Sequence, residues 1–369
     1  MTAPVRVGLA GIHGHGASHV AAAVALERAG RVSIASVADP RGRGDAPTHA
    51  RVFADAEEMI GAGDLDVVVL STPIPTHADL AAAALRAGAH VLLEKPPVVS
   101  VADHDRLSAL AAERARAVQV GFQSLASDGI AAAVDAARHI GEIHHVAAVG
   151  VWARSEEYWR RASWSGRRHL DGDVVADGVV TNPLAHAVAT ALAIADARTP
   201  GDVTAVETDL RRANDIAADD TSSVRVRLRS GPEMIAALTT SGRRRHEPYV
   251  LVRGSRGHLV YHYTLDTLHV FDAHRSLPRT YVFGRVGLLD DLVRHAESGT
   301  SVRVPLDDTG AFTRVLEAVV AAPEPTPIRR VEIEEHEGET FRVVPGVEDA
   351  TERAAWEGLL FREFDSRLD

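Results

Sequence analysis

The first 125 residues alternate short apolar runs with alanine-rich stretches, and this alternation constrains the fold more than any other feature. Val5–Ala10, Val32–Ala38, Val67–Leu70, Val91–Leu93 and Val118–Gly121 are short, β-branched and apolar on both faces. That is the pattern of strands buried in a parallel sheet. Ser18–Ala29, Ala56–Ile60, Asp79–Ala87 and Val101–Ala115 carry helical spacing between them. Thr76 with Asp79, and Ser100 with Asp103, have the spacing of helix N-caps. Strand and helix in alternation predict a doubly wound α/β domain over residues 1–125, with helices on both faces of a parallel sheet.

The texture changes after about Leu125. A helix is expected around Ile130–His139, then alternating stretches at Val224–Leu228, Ile235–Leu238, Val250–Val252, His258–Tyr263 and Leu268–Phe271. Glycine turns separate some of them, so residues 126–369 predict an α+β domain with an open, mainly antiparallel sheet. Late helices are expected at Leu288–Glu297 and Gly310–Ala321. A proline-rich stretch then leads to a tail from about residue 325, expected as two strands and a helix from Val347 to Phe364. An open sheet face needs cover, which predicts a homodimer or homotetramer.

Composition narrows the function. Hydrophobic residues are 46% and charged residues 25%, as in globular chains with a sizeable core. The formal net charge of −11 disfavours nucleic acid as a partner. No apolar run is long enough to span a membrane, and no basic region followed by an apolar stretch marks a secretory leader, so a cytoplasmic protein is expected. Cysteine is absent, which excludes disulfides and thiolate chemistry. Of 40 basic residues only Lys95 is lysine. Lysine, unlike arginine, loses its proton readily when buried, so Lys95 is a candidate for chemistry.

The first strand runs into Gly11-Ile12-His13-Gly14-His15-Gly16. A glycine-rich turn between strand and helix offers backbone N–H groups to a pyrophosphate. Asp39 ends the second strand, where a carboxylate would meet the adenosine ribose. NAD is therefore the expected cofactor, and NADP is less favoured because Asp39 repels a 2′-phosphate. Arg41 and Arg43, in a glycine-flanked loop, are the competing feature. His13 stands where the dinucleotide fingerprint has its middle glycine. It is expected to keep the turn and hydrogen-bond a phosphate oxygen. His13, His15 and His19 cluster, but no cysteine or patterned carboxylate nearby completes a coordination set, so no metal is expected.

His90-Val91-Leu92-Leu93-Glu94-Lys95-Pro96, with Ser71-Thr72-Pro73 and His77 upstream, resembles the Gfo/Idh/MocA family of NAD(P)-dependent sugar and cyclitol dehydrogenases. The resemblance extends across most of the chain. Trp152-x-Arg154, Tyr158-Trp159-Arg160 and Trp164-Ser165-Gly166 resemble the family's aromatic loop, and Gly178–His186 resembles its catalytic helix. In that helix the pattern implies roles for Asn182 and His186, one helical turn apart and so on one face. Three positions depart from the family. Ala189 stands where an aspartate is usual, Leu184 where a glycine is usual, and Gln123-Ser124-Leu125 where an arginine-rich segment often follows.

The resemblance implies a cofactor set of Gly11, Ile12, His13, Gly14, Gly16, Asp39, Ser71, Thr72, Pro73, His77, Glu94 and Lys95. It implies substrate contacts from Lys95, Gln123, Trp152, Trp164, Asn182 and His186. His186 is expected as principal acid and base, with Lys95 holding the hydroxyl and sharing the proton relay, and Asn182 orienting. Tryptophan faces suit the C–H face of a sugar ring. Arg154, Arg160, Arg161, Arg167 and Arg168 lie close by and suit an anionic substrate group, or are simply solvated. The expected activity is reversible oxidation of a secondary hydroxyl on a sugar, sugar acid or cyclitol. The alternatives are an NAD-retaining enzyme that cleaves glycosides or eliminates, and a non-catalytic ligand-binding or regulatory protein.

Overall fold

The computed structural model describes residues 3–273 and 277–364. Two compact units emerge. The first holds the described residues up to Ala126 and the segment Val286–Thr309; the second holds Ser127–Arg285 and the described residues from Gly310 on.

The first unit is built on β1 (Val5–Ala10), β2 (Val32–Ala38), β3 (Arg51–Phe53), β4 (Val67–Leu70), β5 (His90–Leu93) and β6 (Val118–Val120). They pair in the order β3-β2-β1-β4-β5-β6, every pair parallel. The helices are α1 (Gly16–Arg28), α2 (Ala56–Gly61), α3 (His77–Arg86) and α4 (Val101–Arg114). Ser100 caps α4 by accepting from Asp103 N at 3.1 Å. Thr76 does not cap α3. A 3₁₀ turn, Ile74–Thr76, precedes that helix, and the Thr76 hydroxyl donates back to Pro73 O at 2.8 Å.

The second unit opens with α5 (Gly129–Ala137), β7 (Ile143–Val151) and α6 (Glu156–Arg160). The short hairpin β8 (His169–Leu170) and β9 (Asp173–Val174) leads to α7 (Ala185–Ile194). Then come β10 (Val203–Arg212), β11 (Thr221–Leu228), β12 (Glu233–Thr239), β13 (Tyr249–Gly254), β14 (Gly257–His262), β15 (Thr267–Asp272) and β16 (Arg279–Val282). The sheet runs β16-β15-β14-β13-β7-β12-β11-β10 and is antiparallel except where β7 meets β12. Sequence periodicity missed β7, its central strand. The strand is rich in alanine and glycine because helices approach closely. A Cβ on Gly150 would meet Leu184 at 2.6 Å.

One of the late helices does not sit where the sequence order suggested. Helix α8 (Leu288–Ser298) belongs to the first unit, whereas the sequence placed it after the boundary at residue 125. It buries Leu288, Leu289, Leu292 and Val293, and packs on α1. Arg31 joins it through Asp290 and Glu297, and Val304 N donates to Gln119 Oε1 at 3.2 Å. Helix α9 (Gly310–Ala321) returns to the second unit.

The tail forms β17 (Thr326–Pro327), which adds to β10, the hairpin β18 (Glu332–His336) and β19 (Glu339–Val343), and α10 (Val347–Glu357). Helix α10 stops short of the expected Phe364, because Gly358 at φ 74° ends it in the left-handed region. It packs on β7, β12 and β13, with Ala355 against Ala147, Val149, Ile235 and Leu251. The sheet face expected to stand open is thus covered there by the chain's own tail, and it no longer demands a second copy. Among the described residues no helix is long and apolar enough to cross a membrane.

Candidate functional site

In the first unit the loop after β1 is fixed by close backbone crossings. Gly11 has φ +76°, and a Cβ there would lie 2.3 Å from Ser71 O. A Cβ on Gly16 would lie 1.7 Å from Gly11 O. Neither position admits a side chain, so the turn is the tight cradle that a dinucleotide pyrophosphate needs. Gly14 also has positive φ, +59°, but open space around it. Ser71, Thr72 and Pro73 follow β4 beside this crossing.

Asp39 sits just beyond β2 and is buried. Its Oδ2 accepts from Ile12 N at 3.1 Å, and Arg41 donates to Oδ1 from its backbone N at 3.0 Å and from Nε at 3.1 Å. Burial works against the charged form, but the bonds from Arg41 and the nearby His13 outweigh it and hold the carboxyl well below its ordinary range. The arginines of the next loop are not free to swing. Arg41 is tied to Asp39, and Arg43 donates to Pro47 O and Ala50 O. His13 leans the same way. Its Nδ1 lies 3.0 Å from Asp39 Oδ2, without the alignment of a hydrogen bond, and its Nε2 lies against Gly44.

Glu94 and Lys95 follow the carboxyl end of β5, the edge where open α/β sheets bind ligands. Glu94 is buried, and its Oε2 accepts from Lys95 N at 3.0 Å. Its Oε1 lies 2.8 Å from His19 Nε2 and 3.3 Å from His15 Nε2. Burial opposes ionisation of Glu94, but the bonds with His15 and His19 prevail and hold its carboxyl far below the usual range. The His15 imidazole is raised above its ordinary value, chiefly by the bond to Glu94. The fold therefore brings a carboxylate to two histidines for which the sequence had found none. The three ligand atoms lie within 4.8 Å of one another, a set that could hold a divalent cation.

His77 is fully enclosed. Its Nε2 lies 2.9 Å from Thr72 O and its Nδ1 3.0 Å from Pro96 O, so it ties the loop after β4 to the one after β5. Burial pushes its pKa below the ordinary histidine value. Gln123 begins the 3₁₀ turn Gln123–Ala126 after β6.

In the second unit Asn182 and His186 do not share a regular helix. Asn182 lies in the turns before α7, while His186 lies in its first turn. Pro183 between them has no N–H and disfavours helical backbone at the residue before it, so the helix starts later. The Asn182 amide donates to Asp177 Oδ1. Asp177 has 0% exposure, and its Oδ2 accepts from Gly166 N at 2.8 Å and from Arg161 Nη2 at 3.3 Å. The sequence reading missed Asp177, although an aspartate just before the Gly178–His186 stretch was the available signal. The His186 ring stacks with Tyr263 at 6.5 Å and 27°. Burial, followed by the nearby Glu247, pushes the Tyr263 phenol up.

The aromatic loop carries arginines on its rings. Arg154 lies 4.8 Å from the Trp152 ring and 4.7 Å from Tyr158. Arg161 lies 3.7 Å from Tyr158 and 4.6 Å from Trp164, and Arg245 lies 4.9 Å from Trp152. Arg154 and Arg161 are thus stacked rather than solvated. Arg160, its side chain 69% exposed, and Arg167 stand in solvent.

Comparison with known proteins agrees with this geometry. Residues 5–122 match the Gfo/Idh/MocA oxidoreductase family, described as having an NAD-binding Rossmann fold. Inositol 2-dehydrogenase 1 of Saccharopolyspora erythraea is 38% identical over 124 residues, 32% of this chain and 36% of that protein. The rhizopine catabolism protein MocA of Rhizobium meliloti is 36% identical over 121 residues, 32% of this chain and 37% of that protein. The chain therefore spans a little over a third of the length of these curated relatives.

Solved structures align over both units. The WlbA dehydrogenase of Bordetella pertussis, determined with NADH and UDP-GlcNAcA, has a TM-score of 0.67 at 21% identity, covering 86% of this chain and 95% of that one. The UDP-N-acetylglucosamine 3-dehydrogenase GnnA of Acidithiobacillus ferrooxidans has a TM-score of 0.63 at 18% identity, covering 86% and 96%. At such identities the likeness establishes the fold. Residues 5–122, whose cradle and Glu94-Lys95-Pro96 strand end fit the match, are thus similar to the NAD-binding Rossmann domain of the Gfo/Idh/MocA oxidoreductase family.

Proposed function

We propose that this chain is an NAD-dependent oxidoreductase acting on a secondary hydroxyl of a sugar, sugar acid or cyclitol. The observation that carries the reading is the chain's only lysine, Lys95, directly after a Glu94 whose carboxylate is locked between His19 and the Lys95 backbone. The Gly11–Gly16 cradle would hold the pyrophosphate and Asp39 the adenosine ribose. NAD, when bound, supplies the hydride acceptor.

The remaining work falls to side chains. Lys95, in the first unit, donates to the substrate oxygen, steadies it as charge develops and shares in relaying its proton. Glu94 positions Lys95 through its backbone N–H, and His77 fixes the flanking loops. His186, in the second unit, takes the hydroxyl proton. Asn182 orients, held by Asp177. Neither nucleic acid nor membrane enters this reading. A homo-oligomer now rests on the edge strand β16, where Val282 is 73% exposed.

A panel of sugars, sugar acids and cyclitols, screened for NAD reduction by nicotinamide absorbance, tests the proposal. Net reduction by at least one member is the expected result. Turnover of a glycoside with no net absorbance change, on protein that retains NAD through gel filtration, would replace it with the NAD-retaining alternative.

A further inference from the structure

The second unit carries a cleft that the proposed reaction leaves unused. It encloses about 660 Å³ between the aromatic loop, the segment after β10 and the tail hairpin. Neither Asn182 nor His186 lines it. The loop presents two faces. Tyr158, Arg161 and Trp164 join the stacked arginine cluster, whereas Trp159, Ser165 and Arg167 line the cleft.

Two independent features point to an anion. One is charge. Arg160, Arg167, Arg212 and Arg342 line the cleft with only Glu156 and Asp215 as acids. Glu156 is taken by Arg160 at 2.6 Å and Arg342 at 2.8 Å. Arg212 donates to Ile216 O, and Arg167 has no carboxylate within salt-bridge distance among the described residues. Asp215 is exposed.

The other feature is hydrogen bonding. Trp159, Ser165 and Asn214 are 6%, 7% and 4% exposed, yet Trp159 Nε1, Ser165 Oγ and Asn214 Oδ1 have no partner in the protein. Buried polar atoms are rarely left so, and three on one wall call for an explanation. The Asn214 amide nitrogen is already used, on Asp220 at 2.9 Å and Ser241 at 3.2 Å, so its oxygen is left to accept. The wall therefore offers guanidinium donors, an indole N–H, a hydroxyl and one amide acceptor. A ligand that answers all of them carries an anionic group and at least one hydroxyl.

We propose that this cleft binds a small hydroxylated anion, a polyol bearing a carboxylate or a phosphate. The site is linked to the candidate catalytic residues by one short path. Gly166, next to Ser165, donates to the Asp177 carboxylate that also holds Asn182. Arg342 comes from β19, so the tail helps to build the site.

Isothermal titration of the full chain tests this, with no nicotinamide added so that turnover contributes no heat. The probes are glucuronate, glucose 6-phosphate and neutral glucose. Saturable one-site binding of at least one anion is expected, and which anion binds tells carboxylate from phosphate. Glucose should bind at least tenfold more weakly. Arg167→Met and Ser165→Ala, neither placed in the reaction, should each weaken the anion about tenfold, the size of one bond to a charged group. Three results would overturn the proposal: no saturable anion binding, equal binding of glucose, or anion binding that both variants leave intact.

Discussion

In the first unit the candidate residues are placed by the backbone. Gly11 and Gly16 are forced by crossings too tight for a Cβ, and Asp39 and Lys95 follow the ends of strands. In the second unit they are placed by one side chain. The buried Asp177 holds Asn182, Arg161 and the Gly166 backbone together. Backbone constraints leave local marks in a sequence: a glycine where nothing else fits, an acid where a strand ends. A buried carboxylate that gathers partners from distant loops leaves none of comparable strength.

The largest effect should come from the first unit. Lys95→Arg keeps the charge but replaces a compact ammonium with a planar fork that cannot give up its proton. Turnover should fall by about 10²–10⁴-fold, the usual contribution of a positioned proton-transfer group. Circular dichroism should change little, and any loss of NAD affinity should be far smaller than the loss of turnover, since the Gly11 and Gly16 crossings shape the cradle. Near wild-type turnover would remove Lys95 from the reaction and leave the unit a nucleotide-binding scaffold.

The contrast also explains what was legible. The strands β1, β2, β4, β5 and β6 announce themselves because each is a short apolar run. Helices α8 and α10 also announce themselves by spacing, although spacing alone runs α10 on past its stop at Gly358. What the spacing does not encode is the surface on which each docks. Helix α8 returns to the parallel sheet across the domain boundary, and α10 covers a face expected to be open. The same limit hid Glu94 from His15 and His19, which lie on the far side of four strands in sequence but within bonding distance in space. Trp152 and Trp164 were found as aromatics, but the stacking of Arg154 and Arg161 on them was not read, because ring stacking is a tertiary contact.

A second measurement sharpens the comparison from the other side. Asp177→Ala removes the carboxylate that accepts from the Asn182 amide, the Gly166 N–H and the Arg161 guanidinium. Orphaned buried groups cost about 1–3 kcal/mol each, and partial exposure of Arg161 discounts its share, so a loss of about 3 kcal/mol is expected. Chemical denaturation should show it in the second unit's transition. Turnover should fall as well, with NAD affinity unchanged. A variant as stable as the parent would mean that Asp177 is a bystander and that the second unit, too, is organised by its backbone.

The smallest effect concerns cofactor choice. Asp39 stands where a 2′-phosphate would fall, and its competitors Arg41 and Arg43 are already engaged. NAD should therefore bind more tightly than NADP. Asp39→Asn removes the charge while keeping an acceptor for the ribose, and should narrow the ratio about tenfold, equivalent to about 1.4 kcal/mol. The sign of the pH dependence follows from the depressed carboxyl. A group held below its ordinary value of 3.8 contributes above that value and loses its contribution only as pH falls through its lower folded value. Between about pH 7 and pH 9 Asp39 stays charged and the 2′-phosphate, whose second proton leaves at about pH 6, stays fully ionised, so the repulsion should not change there. NADP binding that strengthens toward about pH 5 then follows from partial protonation of the 2′-phosphate itself and leaves the carboxylate's role intact. Paired dissociation constants for NAD and NADP, in the parent, Asp39→Asn and His13→Gly, separate these. A ratio that is flat above about pH 7 in the parent and narrows only in Asp39→Asn assigns the choice to the carboxylate, and an unchanged ratio in Asp39→Asn would take it away.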